Sequence, residues 1–261
     1  MSTSTAAFVA DWRTWHAERE QALTTEHGWL SLTALHWLSA QPEPVPKLPG
    51  RWWQDAEGIH VRPDAGAAPG LQLDGQDLTA PTTVWHPEAG AAGELTHGEL
   101  LVEPLARGQG NRGLRVRDPQ APTRTGFTGI PVFEPDPAWR VPGTYVAYPE
   151  TRSEQTGSAA AGIGALHDLR GQVHFRLEGQ DLTLQVGQNG HIAFRDATSG
   201  AETFGMLRHL RLIETADGVV VDFNRAVNPP CAFTDFGTCP LPPAQNVLPV
   251  AIRAGERTPA R

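Results

Sequence analysis

The sequence has no long apolar run. No stretch approaches the roughly 20 residues that span a bilayer. The N-terminus also lacks a basic segment followed by an apolar one, which a secretory signal requires. We therefore expect a soluble, cytoplasmic protein with no membrane partner.

Cysteine is scarce. The chain has two, Cys231 and Cys239, and the residues between them fit neither a C-x-x-C redox motif nor a four-ligand zinc framework. In a reducing compartment we expect both to be thiols. Because the proline-rich sequence around them restricts the chain, we also expect the two thiols to lie near each other in space.

Basic residues are outnumbered by acidic ones, and the formal net charge is -8. This argues against a general nucleic-acid-binding protein, which needs a basic face. The sequence contains no Gly-rich phosphate loop, no G-x-S-x-G nucleophile elbow and no dinucleotide fingerprint. Its histidines form no pair with a carboxylate at metal-ligand spacing. We predict no cofactor, no metal site and no nucleic-acid partner.

Short β segments dominate what is present. Residues 6–23 predict one amphipathic helix, because Phe8, Trp12 and Trp15 fall at helical spacing. Beyond it, short apolar segments alternate with Gly, Pro and Asp, and hairpins are predicted at residues 173–186 and 207–223. Four prolines within residues 41–50 argue against regular structure there. The pattern predicts a mainly β fold: an antiparallel sandwich, or two packed β units, with one N-terminal helix.

Residues 150–164 are rich in Ser, Ala, Gly and Thr and carry little apolar periodicity. We predict a flexible loop there. It would divide the chain into residues 1–149, the N-terminal helix plus a β region, and residues 165–261, a C-terminal β region.

Polar residues that a core would not select cluster towards the C-terminus. Several segments there resemble a family known as "domain of unknown function 1684". They are residues 194–203, 222–226, 228–234, 238–243 and 254–256, with Asn246. The resemblance extends over most of the chain, and it implies a family but no activity.

A small-molecule site is one interpretation of this cluster. Arg195 and Arg208 would clamp a carboxylate or phosphate, because guanidinium groups offer bidentate donors. Glu202 and Asp222 would be the catalytic acid or base of a hydrolase-like enzyme. Further polar side chains would bind the ligand: Asp196, Asn224, Asn228 and Asn246.

Two other interpretations stay open. In one, the same groups are a structural polar cluster that satisfies a tightly folded loop, and the protein is a non-catalytic binding or interaction module. In the other, Cys231 or Cys239 is a nucleophile, with His191 and His209 as the histidines nearest in sequence.

Glu202 distinguishes the first two interpretations. If residues 202–208 form a turn that leads into a strand, Glu202 and Arg208 would meet at a sheet edge beside Asp222. Three ionisable groups would then share one opening. The sequence assigns neither a substrate nor an oligomeric state.

Overall fold

The computed structural model describes residues 5–66, 70–108 and 110–260. The chain divides into two compact units. Unit 1 comprises Met1–Ala22 and Thr128–Arg261, and unit 2 comprises Leu23–Phe127.

Helix α1, Thr5–Leu23, confirms the predicted N-terminal helix. Its buried side chains include Phe8, Trp12 and His16, which are four residues apart and therefore lie on one face. The Trp12 indole N–H donates to the backbone carbonyl of Asn224 at 2.7 Å. This bond ties the helix to the C-terminal part of unit 1.

Unit 2 is built from two antiparallel sheets. One sheet has the order β1-β11-β10-β9-β5-β6 and the other β2-β3-β4-β7-β8. Their buried apolar side chains form one core that includes Trp52, Ile59 and Leu114. The strands are β1 Leu32–Trp37, β2 Glu43–Val45, β3 Leu48–Gln54, β4 Ile59–Arg62, β5 Leu71–Leu73, β6 Gln76–Asp77, β7 Thr82–His86, β8 Gly90–Ala91, β9 Leu95–His97, β10 Leu100–Arg107 and β11 Asn111–Arg117, and helix α2 spans Pro122–Thr125.

The prediction that residues 41–50 lack regular structure is wrong, because β2 and the start of β3 lie there. β2 is the edge strand of its sheet, where proline is tolerated. Pro49 lies before Arg51, which is the first residue of β3 that pairs with β4. The N–H group that Pro49 lacks is therefore not needed for the hydrogen bonds between these two strands.

Unit 1 carries the remaining strands. A five-stranded sheet has the order β14-β13-β12-β18-β17, and β15 and β16 form a separate pair. The pairings are antiparallel, which confirms the predicted mainly β, antiparallel fold class with one long N-terminal helix. The strands are β12 Arg140–Gly157, β13 Gly164–Leu177, β14 Gln180–Gly187, β15 His191–Phe194, β16 Arg208–Arg211, β17 Ile213–Thr215 and β18 Gly218–Asp222.

The predicted hairpin at residues 173–186 is confirmed as β13 and β14. Its turn residues Glu178 and Gly179 both have positive φ, at 49° and 77°, which suits the two-residue turn of a twisted hairpin. The second predicted hairpin is correct only at its turn. Residues 215–218 join β17 to β18, but β16 pairs with β15 instead.

The predicted loop at residues 150–164 is strand up to Gly157 and again from Gly164. These strand ends form an exposed two-stranded ribbon, whose polar side chains show no apolar period for the sequence to reveal. The turn between them is attached to the C-terminal loops, because the Ala159 N–H donates to the Cys239 carbonyl at 2.8 Å. The chain passes from one unit to the other between residues 22 and 23 and again between residues 127 and 128. Flexibility of residues 150–164 stays a prediction.

Candidate functional site

Arg208 and Asp196 form a buried ion pair in unit 1. Arg208 Nη2 donates to Asp196 Oδ2 at 2.8 Å, and the two side chains are 1% and 0% exposed. Arg208 also donates to the carbonyls of Ala254 and Ile252. Asp196 Oδ1 accepts from the N–H and hydroxyl of Thr198. Most polar groups of the pair are thus bonded inside the protein, in an arrangement that fixes loops, whereas the buried Nε of Arg208 has no partner among the described residues.

Asp222 and Asn224 form a second internal network. Asp222 ends β18 and accepts two hydrogen bonds from Asn224, one from its backbone N–H and one from its side chain. Burial raises the pKa of Asp222, and the bonds from Asn224 and the charge of Arg140, 3.3 Å away, oppose that shift. Asn224 in turn exchanges two hydrogen bonds with the backbone of Asp136. These contacts cap the turn after β18.

The remaining predicted ligand-binding residues differ in their surroundings. Asn246 is buried and bridges the backbone of Gln185 and the carbonyl of Ala193. Asn228 donates through Nδ2 to the Arg257 carbonyl at 2.8 Å, whereas its buried Oδ1 has no hydrogen-bond partner among the described residues. Arg195 is exposed.

Glu202 does not join Arg208 and Asp222 through a hydrogen bond or ion pair in the described part of the chain. It pairs with Arg253, with Nε 3.0 Å from Oε1, and the two side chains are 33% and 61% exposed. Since Arg208 is turned inward to Asp196, the expected opening shared by three ionisable groups does not form.

Glu256 is a buried carboxylate for which the sequence predicts no role. Arg19 of α1 lies 3.2 Å from its Oε1, and the backbone N–H of Asn228 donates to its Oε2 at 2.5 Å. Burial raises the pKa of Glu256, and Arg19 opposes that shift. No local pattern could reveal this pair, because its members lie 237 positions apart.

Three histidines of unit 1, His167, His191 and His209, form what we call the imidazole cluster. In the pairing of β15 with β16, Ala193 lies opposite His209. His191 is two residues before Ala193, so the side chains of His191 and His209 lie on the same face of the two strands. Their ring centroids are 4.6 Å apart. His167 Nε2 is 2.7 Å from the Leu241 carbonyl. The three residues are half-buried.

His209 has an unusual environment. Its Nδ1 atom is buried and has no hydrogen-bond partner among the described residues. Burial is the main cause that lowers the pKa of His209 to about 3, and the neighbouring basic side chains His191, Arg19 and His167 lower it further. The pKa of His191 is also lowered, by burial first and then by Arg211 and His167. The lowered pKa values keep both imidazoles neutral at pH 7. Arg211 is the arginine that acts on His191, whereas Arg19, which acts on His209, is itself paired with Glu256.

The two cysteines lie in one buried apolar cluster with Ala193 and Leu207. The Cys231 N–H donates to Cys239 Sγ at 3.4 Å, which confirms that the two residues are near each other. No disulfide joins them. Among the described residues, no group of three or more His, Cys, Asp or Glu side chains is arranged to bind a metal ion. No helix there is long and apolar enough to cross a membrane.

Comparison with known proteins gives a family. The family model described as "Protein of unknown function (DUF1684)" matches residues 125–257. The chain is 31% identical to an uncharacterised protein of Haloarcula marismortui with a solution NMR structure; the match covers 52% of this chain and 79% of that one, with a TM-score of 0.43. No curated protein matches the chain.

Proposed function

We propose that the chain, which belongs to the DUF1684 family of proteins of unknown function, binds a small anionic molecule at the imidazole cluster of unit 1. The observation that carries this proposal is the buried Nδ1 of His209, which has no partner among the described residues and lies beside a second imidazole. An unsatisfied buried polar atom is unfavourable, and a ligand that accepts a hydrogen bond from it removes that cost.

The charges around the cluster favour an anion. Arg211 of β16 lowers the pKa of His191, and His167 of β13 lowers the pKa of both rings. Arg19 of α1 lowers the pKa of His209, although Arg19 is also paired with Glu256. Basic groups that repel one another stabilise a bound anion, and the anion in turn stabilises the protonated form of the rings. A protonated imidazole then donates a charge-assisted hydrogen bond, which is stronger than a neutral one.

The proposal keeps the anionic ligand that the sequence predicts but assigns it to other residues. Arg208 and Asp196 bond to each other and to backbone groups, except for the buried Nε of Arg208, which has no partner among the described residues; these bonds support a scaffold role for the polar network. We assign the same role to Asn224 and Asn246. Catalysis by Glu202 and Asp222 stays a prediction, and so does the alternative of a non-catalytic binding module.

Isothermal titration calorimetry with inorganic phosphate at pH 6 tests the proposal. We expect saturable binding to the unmodified protein. His209→Gln should weaken that binding by roughly ten- to a hundred-fold, the loss expected for a hydrogen bond to a charged group.

His174→Gln is the matched control. His174 also lies in unit 1 but is exposed on β13, with its ring bonded to Thr183 and Gln172. The His174→Gln variant should bind phosphate with the same affinity as the unmodified protein. Equal affinity of phosphate for the His209→Gln variant and for the control would contradict the proposal.

A further inference from the structure

We infer that Cys231 and Cys239 are a site of reversible intramolecular disulfide formation. The inference rests on contacts between the two residues and is independent of the proposed anion site. Both thiols lie in unit 1 after β18: Cys231 is in a short 3-10 helix, Pro230–Ala232, and Cys239 is in the loop that follows.

The contact between the two residues is direct. The sulfur of Cys239 lies 3.4 Å from the backbone nitrogen of Cys231. The sulfur of Cys231 is joined to that backbone nitrogen through the Cα and Cβ atoms of Cys231 itself. Rotation about the Cα–Cβ bond between staggered positions therefore moves it relative to the Cys239 sulfur without moving the backbone. A bond of about 2 Å between the sulfurs requires such an approach of the side chains.

Gly237 allows the loop to close on Cys231. A Cβ atom at position 237 would lie 2.9 Å from the backbone nitrogen, Cα and Cβ of Cys231. The two backbone segments thus pack against each other with no intervening side chain. The loop is also anchored at its other end, because the Cys239 carbonyl accepts from the Ala159 N–H.

The oxidant that we name is a hydroperoxide. One cysteine thiolate attacks the peroxide oxygen and becomes a sulfenic acid, with release of water from hydrogen peroxide. The second thiol then attacks that sulfur, which forms the disulfide and releases a second water. Two thiol hydrogens and two electrons leave the protein, and one hydrogen peroxide is reduced to two waters. Cys239 is 9% exposed and Cys231 is 4% exposed, so Cys239 is the better placed to react first.

Treatment of the folded, full-length protein with hydrogen peroxide tests the inference. After quenching, thiols are counted in denaturant, and peptides are mapped by mass spectrometry without reduction. We expect the count to fall from the two thiols of the sequence to none, with one cross-linked peptide containing both cysteines. Dithiothreitol should restore both thiols.

Cys231→Ser and Cys239→Ser, each made singly, are the controls. Neither variant should give the intramolecular cross-link, and each should retain its remaining thiol or accumulate a sulfenic acid. Three results would overturn the inference: two thiols that persist in the treated protein, separate sulfinic acids on the two cysteines, or disulfides only between chains.

Discussion

His209 makes the stability of unit 1 sensitive to acid. The pKa of a histidine in the unfolded chain is 6.5, and burial among basic groups lowers the pKa of His209 to about 3 in the folded protein. Between these values the unfolded chain binds more protons than the folded one. The free energy of unfolding therefore rises with pH between about 3 and 6.5. Stability is lost progressively as the pH falls from about 6.5 towards 3.

The size of the effect follows from the two pKa values. Between pH 7 and pH 5 the unfolded histidine becomes almost fully protonated, whereas the folded one stays neutral. The loss in the free energy of unfolding is about 2 kcal/mol over this range, from the linkage of proton binding to folding. His209→Gln removes this titrating group, so the variant should lose about 2 kcal/mol less between pH 7 and pH 5 than the unmodified protein. His191, whose pKa is also lowered, contributes to the acid sensitivity that remains.

Urea unfolding at pH 7 and pH 5 measures the difference. Pulsed thiol labelling is the suitable probe, because Cys231 and Cys239 are buried in unit 1 and report its unfolding alone. The exposed His174→Gln variant should retain the acid sensitivity of the unmodified protein. If His209→Gln and the unmodified protein lost equal stability between pH 7 and pH 5, the assigned environment of His209 would be wrong.

Further predictions concern the polar network and the ligand. Arg208→Met leaves Asp196 buried without its partner and should lower the free energy of unfolding by about 3–5 kcal/mol in urea titrations; a loss below about 1 kcal/mol would contradict the buried pair. Glu202→Gln breaks only a surface pair with Arg253, so its thermal midpoint should stay within a few degrees and phosphate affinity should not change. Loss of phosphate binding in that variant would instead return Glu202 to the site. Phosphate binding at pH 6 should take up protons, because the anion favours protonated His209. Calorimetry in buffers of different ionisation enthalpy measures this uptake, and a value of zero would refute the coupling.

The strands and the helix were predictable where side chains follow a period. The apolar alternation of Val173, Phe175 and Leu177 continues across a two-residue turn, and local sequence suffices to read such a hairpin. The outer half of β12 was not predictable, because its side chains are mostly exposed and its pairing with β13 is made by the backbone. The partner of β16 was equally hidden, since it depends on a contact with β15 across a long turn.

The site was less predictable than the fold. The sequence identified Asp196 and Arg208 as polar residues out of place in a core, but their pairing with each other depends on a loop that returns the chain. The sequence distinguishes His191 and His209 only as the histidines nearest to the cysteines. Their shared face follows from strand pairing, and the proximity of Arg19 follows from the docking of α1, 190 residues earlier in the chain than His209.

The most direct test of the anion site is a pH titration of the histidine rings by NMR, with and without inorganic phosphate. In long-range proton–nitrogen spectra of labelled protein, His209 should stay neutral at pH 5 without phosphate. It should titrate at a higher pH once phosphate is added, and His191 should shift in the same direction. A His209 ring that titrates near 6.5 without phosphate, or that does not respond to a saturating concentration of it, would contradict the account.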